Sequence, residues 1–164
     1  MKEKFVIFQP WIGLVARLIL GGVLFLAGYL KVDEPDKSQM AVRAYEMLPI
    51  SVANLLGLVL PFVEVAIGAL LILGSLTRLM AALGGFTMVI FIIAIAQAWA
   101  RGLNIDCGCF GGGGTVAPGE TKYLQEILRD IGLVFLAVYL IRYPSTKFSL
   151  DKNQNGKSSQ EEVA

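Results

Sequence analysis

Four apolar runs separated by short polar stretches dominate the chain. They cover residues 10–30 (PWIGLVARLILGGVLFLAGYL), 51–74 (SVANLLGLVLPFVEVAIGALLILG), 79–100 (LMAALGGFTMVIFIIAIAQAWA) and about 127–143. A helix needs about 20 apolar residues to cross the roughly 30 Å of bilayer hydrocarbon, and the first three runs meet this. The fourth is shorter and opens with the charged EILRD, so its first turn is expected at the interface. Lys2 and Lys4 resemble the basic start of a signal peptide, but the first run is long for one and no A-x-A site follows, so a retained helix is expected. The few residues 75–78 make spans two and three an antiparallel hairpin. Between spans one and two, KVDEPDKSQMAVRAYEMLPI reads as a short helix capped by Asp36 or Ser38. It carries Met40, Ala44, Met47 and Leu48 on one side and Arg43 and Glu46 on another, and is expected to lie along the membrane surface. Gly21, Gly22, Gly57, Gly68, Gly84 and Gly85 are placed to let helix backbones approach closely. The fold expected is all-α: an integral membrane four-helix bundle over residues 1–144 with one interfacial helix, and a disordered polar tail over 145–164. Within that tail, DKNQNGKSSQEE has the spacing of a calcium loop. Only two residues follow Glu162, however, and few of the pattern's side chains are charged, so no calcium site is assigned.

Composition supports the membrane reading, with 55% hydrophobic and 16% charged residues against about 45–50% and 25% in soluble domains. The net charge of +1 comes from dispersed basic residues, which excludes a phosphate-neutralising stripe and with it nucleic acid. There is no histidine. Any chemistry therefore comes from thiols, carboxylates or a borrowed cofactor.

Both cysteines, Cys107 and Cys109, lie in IDCGCFGGGG. Residues i and i+2 can fall within disulfide distance, Gly108 eases the small ring, and such a bond is strained and readily reduced. So short a loop removes little chain entropy, which argues for a redox pair over a staple. Asp106 should raise the thiol pKa, while Arg101, Lys122 and the positive end of the fourth helix should lower it. Gly111 to Gly114 are expected to let the pair swing toward a partner. A half-site for a soft metal and incidental thiols are the alternatives; two thiolates without a third cysteine or a histidine do not complete a zinc site, so no metal is assigned.

Arg17 and Glu64 lie inside the spans at similar depths and are expected to meet, as a helix-locking ion pair or as a proton or quinone site. Pro61, one turn before Glu64, frees a carbonyl beside it. Arg129 and Asp130 are expected to face the cysteine loop. A slight excess of basic residues on the terminal side, together with the compartment that keeps disulfides, places the termini in the cytoplasm and the cysteine loop outside the plasma membrane.

The segments RLILGGVLFLAGYLKVDEPD (17–36), AVRAYEMLP (41–49), LPFVEVAIGALLILG (60–74), IDCGCFGGGG (105–114) and EILRDIGL (126–133) together resemble the DoxX-like superfamily. They are most similar to its MauE branch, named for methylamine utilisation. The resemblance covers about residues 10–142 and implies a four-helix membrane protein associated with maturation of methylamine dehydrogenase, whose small-subunit disulfides it helps to form or transport. Relatives include a subunit of a thiosulfate:quinone oxidoreductase. By this resemblance Cys107 and Cys109 match the branch's cysteine pair, and Arg17, Arg43, Glu64, Arg129 and Asp130 its recurrent polar positions. Four-helix disulfide generators that pass electrons to quinone carry a second, shuttling cysteine pair that this chain lacks. A thioredoxin-like extracytoplasmic partner is therefore expected to supply it. The function expected is membrane thiol–disulfide exchange, coupled to quinone near Glu64 and Arg17, with Cys109→Ser trapping a mixed disulfide. The alternative is a non-catalytic assembly or maturation subunit of a membrane or periplasmic oxidoreductase; a small-solute transporter ranks last.

Overall fold

The structure is a computed structural model that describes residues 2–150 except 109, 111, 145, 147 and 148, with residues 2–8 described for backbone alone. Among these described residues, five helices run in the order α1 (Lys2–Val32), α2 (Pro35–Ala44), α3 (Ile50–Leu73), α4 (Thr77–Ala100) and α5 (Tyr123–Arg142). Two short strands, β1 (Ile105–Asp106) and β2 (Gly114–Thr115), pair antiparallel between α4 and α5. The strands depart from the all-α expectation: the cysteine loop is a closed hairpin. Among the described residues, α1, α3 and α4 are long and apolar enough to cross a membrane.

α1 starts earlier than its apolar run because Pro10 lies inside the helix without ending it. The loss is one backbone donor. At the other end of α3, Gly74 turns left-handed (φ 69°). Its N–H donates to the Leu71 carbonyl and that of Ser75 to the Leu70 carbonyl, each at 3.0 Å, which closes the helix and starts the hairpin to α4. α2 follows Glu34 at its N-cap, which makes no side-chain cap, and has Pro35 in its first turn. Ser38, expected as a cap, is buried instead and donates to the Gly57 carbonyl of α3 at 2.6 Å.

α1, α3, α4 and α5 share one core, with Leu20 and Leu24, Ile67 and Leu71, Ala81 and Met88, and Ala137 and Leu140 as members. Glycines set how the helices meet. A Cβ on Gly68 would lie 2.5 Å from the Phe25 backbone nitrogen, and one on Gly28 would lie 2.6 Å from the Pro61 carbonyl oxygen. These contacts fix α1 antiparallel to α3, with residue 28 opposite 61–65 and residue 21 opposite 68–72. Gly57 seats α2 by Gln39, and Gly85 meets Ala137 of α5. Gly22, expected to do the same, has nothing within 4 Å.

Thr146 and Ser149, both within the expected disordered tail, are held in place. Thr146 is buried and accepts from Arg17 Nη1 at 2.9 Å, while Ser149 Oγ donates to the Gly74 carbonyl at 2.8 Å. Residues 151–164, with the calcium-loop-like segment, lie outside the described residues.

Candidate functional site around Cys107

The hairpin is built where α4 ends. Tyr123, the first residue of α5, accepts from the Ile105 N–H at 3.1 Å and donates to the Leu103 carbonyl. Ile105 then pairs with Thr115 and Asp106 with Gly114, which leaves residues 107–113 as the loop between them. Asp106 Oδ1 accepts from the Gly108 N–H at 3.3 Å, and the Tyr45 hydroxyl donates to the Cys107 carbonyl at 3.2 Å. Arg101, expected to act on the thiols, is turned to the Tyr45 carbonyl at 3.2 Å and the Glu46 carboxylate at 3.0 Å.

Of the expected swinging tether Gly111 to Gly114, Gly112 to Gly114 are held in place, and Gly111 lies outside the described residues. The loop is pressed onto α2: a Cβ on Gly108 or on Gly113 would lie 2.6 Å from the Ala41 Cβ, and Gly113 adopts φ 147°, a backbone angle that side chains resist. Gly112 abuts the Asp106 carboxylate. Gly113→Val should therefore lift the loop and raise the alkylation rate of Cys107 by roughly tenfold, the factor given by about 1.4 kcal/mol of lost local stability. Timed iodoacetamide labelling of the Cys109→Ser background measures it.

Cys107 is buried in a small core with Ile95, Ala98, Ile105 and Tyr123, joining the hairpin to α4 and α5. Cys109 lies outside the described residues. The Glu126 carboxyl lies beside the Cys107 thiol and is acted on by it as by a hydrogen-bond donor. Sγ of Cys107 and carboxylate oxygens of Asp106 and Glu126 all lie within 4.8 Å of one another. One soft sulfur with two hard oxygens matches no single metal's preference well, and the set reads as an acid–base group. Glu126 sits in the first turn of α5, ahead of the apolar run. Burial pushes its carboxyl above the ordinary range; the bond from Cys107 and the Arg129 cation oppose this, while Asp106 and Asp130 add to it.

One turn further along α5, Asp130 is fully buried. Its Oδ1 accepts from Arg129 at 2.8 Å, and its Oδ2 has no hydrogen-bond partner among the described residues. The Arg129 guanidinium lies 4.9 Å from the centre of the Phe110 ring, so α5 touches the loop at Phe110 as well as at Cys107. Beneath Phe110 is a small void lined by Ala27, Glu64, Phe91, Arg129 and Asp130 among others, with room for about one water molecule.

Glu64 does not meet Arg17. Both its oxygens accept from Lys31 Nζ, at 3.0 and 2.8 Å, and both residues are buried. The glycine-set register places Arg17 beside Gly74 at the opposite end, roughly 15 Å along α3 from Glu64. There its cation faces the negative end of that helix. Arg43 is exposed on the last turn of α2, away from this cluster. Asp106, Gly108, Glu64, Arg129 and Asp130 are thus gathered at the hairpin end of the molecule, and Arg17 and Arg43 are not. Sequence reasoning missed Lys31, Tyr45, Phe110 and Glu126. The signal for Glu126 was its place four residues before Asp130, on the same helix face.

Residues 9–143 match the family described as methylamine utilisation protein MauE. The chain belongs to the MauE family. The matched region takes in the hairpin, α2, the Lys31–Glu64 pair and Glu126. Among its relatives is the methylamine utilization protein MauE of Paracoccus denitrificans, 30% identical over 108 residues, or 65% of this chain and 58% of that protein. MauE of Methylophilus methylotrophus is 27% identical over 139 residues, 83% of this chain and 70% of the relative. MauE of Methylorubrum extorquens is 36% identical over 106 residues, 64% and 57% respectively. The chain thus spans less than two thirds of the first of these relatives. No solved structure matches. The family and the three apolar helices make this a multi-pass membrane protein.

Proposed function

We propose that this MauE-family protein carries out thiol–disulfide exchange at the membrane surface, in service of the maturation of an oxidoreductase such as that of methylamine utilisation. The observation that carries the reading is the built setting of Cys107: a thiol enclosed by a pinned hairpin, with the half-buried Glu126 carboxyl within 4.8 Å of its sulfur. An incidental thiol needs no such surroundings. α5 acts as a fourth span, since its outward residues Leu128, Phe135 and Val138 are apolar and exposed, and lipid would cover them. The hairpin then faces the extracytoplasmic side of the plasma membrane, where a thioredoxin-like partner meets it, and both termini are cytoplasmic.

The enclosure of Cys107 sets the order in which the two thiols act. Cys109 exchanges with the partner, and the enclosed Cys107 resolves the mixed disulfide, so the trapping variant is the reverse of the one expected from sequence. Cys107→Ser should accumulate a reductant-sensitive adduct on non-reducing gels, at least several-fold above Cys109→Ser. Equal and negligible adducts from both would sink the reading. Full complementation by the double Cys→Ser variant would favour the non-catalytic assembly role instead. A lipid-soluble quinone is the acceptor class that suits a two-electron couple at this surface. The void beside Glu64 would have to widen to admit its ring.

A further inference from the structure

We infer that Glu126 is the proton acceptor of Cys107 and keeps that proton once the disulfide has formed, so that oxidation of the pair releases one proton to solvent instead of two. This rests on the thiol-exchange reading and adds a catalytic residue to it. In the reduced protein Cys107 Sγ lies within 4.8 Å of a Glu126 carboxylate oxygen, placed to give that carboxylate its hydrogen. A sulfur bonded to another sulfur has no hydrogen to donate. Oxidation therefore removes the donor from a carboxylate that is partly buried, and an unpaired charge in such a place is unfavourable.

Among the described residues, none is placed to replace the lost donor. The charged and titratable groups acting on Glu126 are Asp106 and Cys107 from the hairpin and Arg129 and Asp130 from its own helix. Two of these are carboxylates, which disfavour a third negative charge. Arg129 is held by Asp130 and by the Phe110 ring. Neutralisation of Glu126 by the departing thiol proton satisfies the site at once.

The step balances as follows. Cys107 attacks the Cys109 sulfur of the mixed disulfide; the Cys107–Cys109 bond forms and the Cys109–partner bond breaks. The Cys107 proton moves to Glu126, and the proton that Cys109 gave up earlier goes to solvent. The partner disulfide accepts two electrons and takes up two protons to become a dithiol. Counted for the pair alone, a dithiol with ionised Glu126 becomes a disulfide with neutral Glu126, two electrons and one free proton.

The test is the midpoint potential of the full-length protein in detergent from pH 5 to 8.5. It is poised against dithiol/disulfide buffers and read by alkylation and mass spectrometry. With two electrons, one proton changes the equilibrium tenfold per pH unit, which is 29.6 mV, and two protons change it a hundredfold, about 59 mV. The wild type should show about 30 mV per pH unit across a window lying above the ordinary carboxylate range and about 59 mV outside it. Glu126→Gln should show about 59 mV throughout, and Asp106→Asn should keep the window. A wild-type slope of about 59 mV at every pH overturns the inference, as does an unchanged window in Glu126→Gln. Should that variant fail to fold, the wild-type slope alone decides. A pair that never equilibrates with the buffer overturns the thiol-exchange reading itself.

Discussion

Lys31→Met should destabilise the protein by about 3–5 kcal/mol, because it strands the Glu64 carboxylate inside the helix assembly. Lys31 supplies both hydrogen bonds that Glu64 receives, at 3.0 and 2.8 Å, and both side chains are enclosed. Breaking such a pair costs far more than forming it gains, since desolvation has already consumed most of the attraction. Lys31→Met with Glu64→Leu should therefore recover most of the loss. The readout is the unfolding midpoint of purified protein in mixed micelles, for the single and double variants. A single variant within about 0.5 kcal/mol of the wild type would mean that water reaches this pair. Recovery in the double variant would assign it to structure, and persistent loss of activity at restored stability would assign it a further part in function.

The second large effect is expected at the α1–α3 seam. A Cβ on Gly68 would sit 2.5 Å from the Phe25 nitrogen and 2.7 Å from the Gly21 carbonyl oxygen, both rigid backbone. Gly68→Ala should cost about 1–3 kcal/mol, because the two helices must separate, and Gly68→Leu should cost more. Gly22→Ala is the matched comparison: nothing lies within 4 Å of its Cβ position, and helix propensity makes the change neutral or stabilising by up to about 1 kcal/mol. The seam also sets where Lys31 meets Glu64, so Gly68→Leu should weaken that pair. Combining Gly68→Leu with Lys31→Met should then cost less than the two separate losses added together. Strict additivity would show the seam and the ion pair to be independent.

Hydrophobic length carried much of the fold. Three runs of about 20 apolar residues permit little besides membrane helices, because backbone groups in lipid must bond within their own segment. The helix ends were less legible, since α1 runs through Pro10 where a span boundary was expected, and Thr146 and Ser149 are held within an expected tail. The thiol pair was legible from spacing, but the role of its glycines was not. Flexibility and close packing both call for glycine, and only the position of Ala41 under Gly108 and Gly113 distinguishes them.

The sequence by itself determined the solvent of this protein, its membrane helices, the location of its thiols and the presence of charges that must be satisfied inside the assembly. Each follows from local length, composition or spacing. Tertiary structure alone decided which group meets which: Lys31 with Glu64, Thr146 with Arg17, and Glu126 with the Cys107 thiol. Partner choice depends on the register between helices, which is set by a few glycine contacts distant in the chain. A shift of one helical turn there, about 5.4 Å, would give every buried charge a different neighbour.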